Sequence, residues 1–357
     1  MLFFGIVLLL IILALCILLL IPGYTNSIKD SNGKPLLHSI ASLEKIYLGG
    51  KEQWILIRGV NKNNPVILFL HGGPGTSDMG LLRRYMKDLE NHFVVVTWDQ
   101  PGAGKSFSAN TPYSSMNINR FVADTHELTN LLRKKFQHKK IFLAGHSWGS
   151  VLGILTIQKF PELYKAYIGI GQVANMAENE QISYDWTLEQ AKLSNDKKVI
   201  KKLNEIGKPP YSGNWRKKFM TQRRFLGKYG GELYGSSSGA FMLVLKNLMF
   251  SPEYSLRDKI NFFRGIFTTV KLIFPELMKV DLKTQALCLE VPVYFVLGKH
   301  DYESPFMIAE EYFKLLNAPS KELIWFENSA HFPNIEENSK FIDLLTNRLL
   351  TSKIFPS

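Results

Sequence analysis

Cysteine is almost missing: Cys16 and Cys288 are the only two in 357 residues. That scarcity excludes a disulfide framework and a Cys-rich zinc site, while leaving the compartment open. Asn-x-Ser/Thr sequons are absent, so nothing marks a glycosylated ectodomain. Repeats and low-complexity stretches are lacking beyond the N-terminus. Acidic residues are short too, 31 Asp+Glu against 43 Lys+Arg, for a formal charge of +12. The excess gathers between Lys192 and Lys228, where twelve basic residues face only Asp196 and Glu205. Such a distribution is too diffuse for a nucleic-acid partner. What the chain does have is 46% hydrophobic residues, ample for one large α/β core or a core plus an insertion.

One uninterrupted apolar run exists. Leu2 to Ile21 carries no charge, and Pro22-Gly23 ends it. As a helix, twenty such residues would span about 30 Å, the thickness of a bilayer core. A cleaved signal peptide is the rival reading, but the basic n-region is absent and the run is too long for one. The expectation is therefore an uncleaved single-pass anchor over 2–21, a membrane localisation, and a polar linker over 22–42. Lys29 and Lys34, the first basic residues after the run, lean toward a cytoplasmic domain.

From Leu43 the pattern turns regular. Two alternating segments, Leu43–Leu48 and Gln53–Arg58, read as a hairpin around Gly49-Gly50. Buried strands then alternate with amphipathic helices: strands at Val66–Leu70, Phe93–Trp98, Lys140–Ala144 and Ala166–Ile170, helices near 80–90 and 119–136. The rhythm predicts a mostly parallel, doubly wound sheet. It lapses over 172–290, a helical, basic and aromatic interval broken at Gly207-Lys-Pro-Pro210 and Gly230-Gly231. It resumes with a strand at Val291–Leu297, a helix at Pro305–Leu316, a strand at Glu322–Phe326 and a helix at Glu336–Leu350. The predicted division is a core over 43–171 and 291–350 with a helical cap over 172–290.

Four elements fall at the C-terminal ends of the proposed parallel strands, where such sheets place their ligands. Gly145-His-Ser-Trp-Gly149 lies between a strand and a helix. A serine on so sharp a turn projects its hydroxyl above the sheet, beside a helix N-terminus. His71-Gly-Gly-Pro-Gly75 follows Val66–Leu70, and its glycines leave backbone N–H groups free to face an oxyanion. Gly298-Lys-His-Asp301 offers a carboxylate, and Ser329-Ala-His-Phe332 an imidazole. Serine is a poor nucleophile until a base takes its proton. The assignment is Ser147 as nucleophile, His331 as base and Asp301 as its orienting acid, with the Gly73 and Trp148 N–H groups as oxyanion donors.

Blander readings stand beside these. His71, His146 and His300 fit scaffold roles, since none follows the last strand. Asp99 and Asp124 precede the serine, against the expected order, and Glu303 is the one serious substitute for Asp301. Gly104-Lys105-Ser106 imitates the end of a phosphate-binding loop, but Asp99 stands where its first glycine is required.

Taken with His71–Gly75 and Trp98-Asp-Gln-Pro-Gly-Ala-Gly-Lys-Ser106, the Gly145–Ser150 segment resembles the α/β-hydrolase superfamily, and within it the proline iminopeptidase-type serine aminopeptidases. The resemblance covers about residues 43 to 350 and is weakest across the cap. It implies an α/β-hydrolase fold, a cap over the site, an acyl-enzyme, and no metal or organic cofactor. Two departures lie outside the triad: Pro101 stands where the family usually has arginine, and His146 where it often has glycine. In the family, cap glutamates bind a free α-ammonium group. Glu178, Glu180 and Glu232 are the candidates here, with solvated surface charge as their alternative. The expected partner is a peptide or a small ester. An esterase or lipase-like acyl hydrolase is the runner-up, and a non-catalytic binding scaffold is remote because no triad residue is lost.

Overall fold

The computed structural model describes residues 3–4, 6–7, 9–10, 19–108 and 116–350. Eight strands form one sheet: β1 (Ile40–Leu48), β2 (Lys51–Gly59), β3 (Val66–Leu70), β4 (Val94–Asp99), β5 (Ile141–His146), β6 (Tyr164–Ile170), β7 (Val293–Gly298) and β8 (Lys321–Phe326). Their spatial order is β1-β2-β4-β3-β5-β6-β7-β8. The β1–β2 hairpin and the β2–β4 pair are antiparallel, and every later pair is parallel. The strand order reverses around β3, so the ends of β3 and β5 open on a crevice. A ligand can enter there.

Both faces of the central strands are buried, as a parallel sheet requires. Leu68, Val96, Leu143 and Phe295 pack on one face against α2 (Ile118–Phe136), α3 (Trp148–Lys159) and α10 (Phe306–Leu315). Ile67, Phe69, Val95, Phe142 and Val296 pack on the other, against α1 (Met79–Tyr85) and α12 (Asn338–Asp343). The alternation follows the two-residue period of a strand.

Between β6 and β7 lie α4 (Met176–Leu193), α5 (Lys197–Ile206), α6 (Trp215–Lys228), α7 (Gly239–Phe250), α8 (Leu256–Leu277) and α9 (Leu282–Gln285). The predicted breaks at 207–210 and 230–231 coincide with the gaps after α5 and α6. Helix α8 begins with a capping box in which Ser255 and Asp258 satisfy each other's backbone N–H groups. Asp258 also accepts from Lys105 Nζ at 2.7 Å, and Tyr254, just ahead, donates to Asp99 at 2.8 Å. The N-terminal end of α8 is thus tied to the loop after β4. Further along, a Cβ on Gly265 would stand 2.2 Å from Gly102 O, and one on Gly75 would stand 2.9 Å from Gly265 O. Three glycines bring helix and loops into backbone contact.

Three expectations change. Among the described residues no helix is long and apolar enough to cross a membrane. The anchor over 2–21, the membrane localisation and the membrane contact are corrected accordingly. Residues 2, 5, 8 and 11–18 of that run lie outside the described residues. A crossing needs an unbroken apolar helix of about 20 residues, whereas the hydropathy of a run establishes only that it is apolar. The stretch expected as a linker is fastened down: Tyr24 N donates to Pro252 O at 2.9 Å, and Arg58 Nη1 donates to Thr25 Oγ1 at 2.8 Å and Asn26 O at 2.7 Å. Lastly, the helix predicted over Glu336–Leu350 is split. Glu337 leaves helical geometry at φ −116°, ψ 54°, and its carboxylate accepts from Asn328 N at 3.0 Å and Ser329 Oγ at 2.8 Å. That exchange pins the loop carrying His331.

Candidate active site

Ser147 stands between β5 and α3 with φ 53° and ψ −120°, a strained backbone for a residue with a Cβ, costing about 1–3 kcal/mol. Neighbouring glycines make the turn feasible. A Cβ on Gly145 would meet Gly149 O at 2.3 Å, and one on Gly149 would meet Leu70 O at 2.2 Å. Ser147 N donates to Ile170 O at 3.0 Å, fixing the turn to β6.

The loop after β3 comes against this turn, since a Cβ on Gly72 would stand 3.2 Å from Ser147 Cβ. Gln100 joins the two. Its Oε1 accepts from the Trp148 indole at 2.8 Å, and its Nε2 donates to His71 O at 3.1 Å. The His71 ring completes the clamp, with Nδ1 donating to Gly72 O at 2.7 Å and Nε2 accepting from Gln100 N at 3.1 Å. The loops bearing Gly73 and Trp148 are thereby locked to each other. Burial pushes His71 down to about 4, which suits a neutral scaffold ring.

His331 Nδ1 donates to Asp301 Oδ2 at 2.8 Å, and both side chains are buried. The other oxygen, Oδ1, accepts from Glu303 N at 2.9 Å and Ser304 N at 2.8 Å. A carboxylate held from the backbone on one side can orient an imidazole on the other. His331 Nε2 has no hydrogen-bond partner among the described residues, and His331 lines the same cavity as Ser147. His146 serves the backbone, its Nε2 donating to His331 O at 2.9 Å. Burial, with His331 nearby, pushes His146 down to about 3. Asp99 and Asp124 are engaged elsewhere: Asp99 accepts from Lys105 N and Tyr254, and Asp124 from Gln53 and Arg120.

The cavity over Ser147 measures about 240 Å³, and Phe219, Met220, Phe241, Phe262, Ile266 and Val270 from α6, α7 and α8 make its lining predominantly apolar. A smaller chamber of about 60 Å³ adjoins it, sharing Ser147, Gly73, Arg223 and Glu303. Phe274 and Leu277 line this second chamber, so the C-terminal end of α8 also faces the site. Among the described residues no group of three or more His, Cys, Asp or Glu side chains is arranged to hold a metal ion.

Acidic groups collect at one wall. Glu232 lines the cavity, and its Oε2 accepts from Ala240 N at 2.8 Å. Burial, reinforced by the charge of Glu303, pushes Glu232 up to about 8. Glu180 sits behind the wall, hydrogen-bonded to Arg223 Nη2. Glu178 is elsewhere: it pairs with Lys283 at 2.7 Å and does not line the cavity. Two residues outside the sequence-derived substrate set belong to this wall. Glu303 places Oε2 3.9 Å from His331 Nε2, and Arg223 places Nε 4.0 Å from Glu303 Oε1. Glu303 is legible in the sequence only as a substitute for Asp301. Arg216, Phe219, Met220 and Arg223 follow i, i+3, i+4, i+7 spacing on α6 and all line the cavity. In sequence that face looks like a basic, solvated one. His331 feels the whole wall: burial opposes its charged form, but Asp301 and Glu303 outweigh burial and push the imidazole up to about 9.

Comparison with known proteins fits this geometry. The α/β hydrolase fold family matches residues 65–205. A protein of Bacillus subtilis (strain 168) named probable aminopeptidase YbaC is 37% identical over 322 residues, spanning 87% of this chain and 97% of the relative. The proline iminopeptidase of Saccharolobus solfataricus is 26% identical over 295 residues, spanning 81% and 85%. Among solved structures, a proline iminopeptidase-related protein from Thermus thermophilus has a TM-score of 0.61 at 18% identity, covering 87% of this chain and 98% of that one. At that identity the likeness is one of fold. The near-complete span of the Bacillus relative extends it to the family: this chain is a hydrolase of the proline iminopeptidase-like family of α/β hydrolases.

Proposed function

We propose that the protein is a serine aminopeptidase, releasing the N-terminal residue of a peptide through an acyl-enzyme. The observation that carries this reading is the buried Oε2 of Glu303, an atom with no hydrogen-bond partner among the described residues, on a residue that lines the cavity together with Glu232. A buried carboxylate oxygen that accepts no hydrogen bond is costly, and a ligand that supplies a donor relieves that cost. A substrate α-ammonium group is such a ligand, with a charge of the right sign and three N–H donors. Glu232 and Glu303 hold it in this reading. Residues 172–290 act as a cap that carries the selectivity, on a core of 43–171 and 291–350 that carries the chemistry.

Each step then has a group. Ser147 Oγ attacks the scissile carbonyl carbon while His331 Nε2 takes the hydroxyl proton. Asp301 fixes the tautomer and stabilises the imidazolium. The Gly73 and Trp148 N–H groups receive the negative oxygen, a contribution of about 3–4 kcal/mol per donor in such sites. His331 returns the proton to the leaving amine, and water, activated by the same imidazole, releases the free amino acid and restores Ser147.

The apolar lining favours an acyl hydrolase as a second reading. A panel of Pro-, Ala- and Leu-arylamides, each with a free and an acetylated amine, run beside short and long p-nitrophenyl esters, separates the two. Arylamide cleavage that disappears on acetylation supports the aminopeptidase. Long-chain ester cleavage with inert arylamides overturns it.

A further inference from the structure

We infer that Glu303 is a specificity-determining residue that switches the base: in the empty site its carboxylate pairs with His331 Nε2, and a substrate ammonium group displaces that pairing. The inference rests on the aminopeptidase reading and concerns the regulation of the same site.

The geometry is unusual for a base that must serve Ser147. Nδ1 is taken by Asp301 at 2.8 Å, and a second carboxylate oxygen waits 3.9 Å from Nε2. Neither Nε2 nor Glu303 Oε2 has a hydrogen-bond partner among the described residues. A carboxylate on each side of the ring favours the imidazolium, which cannot accept the serine proton. Other charges facing the ring do not undo this. Asp301 and Glu303 come from the loop after β7 and Glu232 from the loop after α6, while Glu336 on α11 (Pro333–Glu336) accepts from the backbone N–H groups of Ala330 and Phe332 on either side of His331. His146, at the end of β5, is held neutral by burial. Among the described residues two cations of α6 line the cavity: Arg216, which is exposed, and Arg223, whose guanidinium Glu180 engages and whose Nε lies 4.0 Å from Glu303 Oε1.

Arrival of an ammonium group changes the balance. It lies against Glu303 and Glu232 and supplies the positive charge that the imidazolium supplied before. His331 then loses its Nε2 proton to water, so one proton is released as one cation is bound. The neutral imidazole is free to turn to Ser147. Substrates without a free amine leave His331 paired and meet a largely disarmed base, so selection acts on turnover as well as on binding.

The test uses opposite signs. Glu303→Gln keeps the shape and removes the charge. It should cleave p-nitrophenyl acetate at pH 7 about tenfold faster than wild type, one unit of base pKa, with the acid limb of the rate profile moved to lower pH. Ala-arylamide turnover should fall in the same variant. Wild type provides the second measurement: n-propylammonium at constant ionic strength should accelerate p-nitrophenyl acetate hydrolysis. Rates are normalised to fluorophosphonate-titrated sites, so partial unfolding does not imitate either result. An ester rate that drops or stays level in Glu303→Gln with an unmoved limb overturns the inference, as does inhibition of wild type by propylammonium. Wild-type enzyme inert toward every free-amine arylamide instead removes the aminopeptidase reading, while the ester measurements still report the Glu303–His331 pairing.

Discussion

At the strand ends, Ser147 and the loop bearing Gly73 are held by backbone contacts and one uncharged side-chain clamp: Gly149 fits under Leu70 O, Ser147 N reaches Ile170 O, and the Gln100 amide joins the two loops. In the helices between β6 and β7, the polar groups facing the cavity are held by one another's charges, Arg223 by Glu180 and Glu303. The first arrangement has little freedom, because a backbone contact of 2.2 Å to an added Cβ leaves no alternative residue. The second can be retuned by one substitution. Chemistry on a rigid frame and selectivity on an adjustable one allow a fold to keep its reaction while its substrate changes.

The largest effect should come from the frame. Ser147→Ala should lower kcat by about 10⁴- to 10⁶-fold and abolish fluorophosphonate labelling; labelling that persists at another serine would move the nucleophile. Asp301→Asn should cost about 10⁴ in kcat with little change in binding, and a wild-type rate would pass the acid's role to Glu303. Gly149→Ala tests the frame itself: urea unfolding should show a loss of about 3 kcal/mol or more, and a neutral result would mean the turn can relax. On the adjustable side, Glu232→Gln should lower kcat/KM for free-amine arylamides about 30- to 100-fold and change small-ester rates far less than Glu303→Gln does. Smallest of all, Glu178→Gln should change neither substrate class by more than about twofold, since its pairing with Lys283 lies away from the cavity. Equal losses from Glu178→Gln and Glu232→Gln would erase the distinction between cap wall and cap surface.

The same division governs what the sequence discloses. β3, β5 and β7 are continuous apolar runs because both faces are buried, and runs of that kind are visible without a structure. The turn at Gly145–Gly149 and the order Ser147, Asp301, His331 are local signals at strand ends, visible for the same reason. The acidic wall is not local. Glu180, Arg223, Glu232 and Glu303 come from four separate segments, and only packing brings them together. Arg223 lies in a helix whose overall charge argues for solvent, yet its side chain is only 11% exposed. The split at Glu337 is equally hidden, because its cause is a pair of hydrogen bonds to residues 328 and 329 rather than a helix-breaking residue. The apolar run at 2–21 shows the opposite hazard, a strong local signal without a matching transmembrane helix among the described residues.

The contact among Gly75, Gly102 and Gly265 has a mechanical consequence. With no side chains between them, helix α8 and the loop that presents Gly73 have no cushion to absorb displacement. A ligand that pushes on Phe262 or Ile266 therefore pushes on that loop as well. Reshaping the cavity from α8 is safe only on the face away from Gly265 and Thr269. Enlargement along that edge would be transmitted to the loop of the proposed oxyanion donor Gly73.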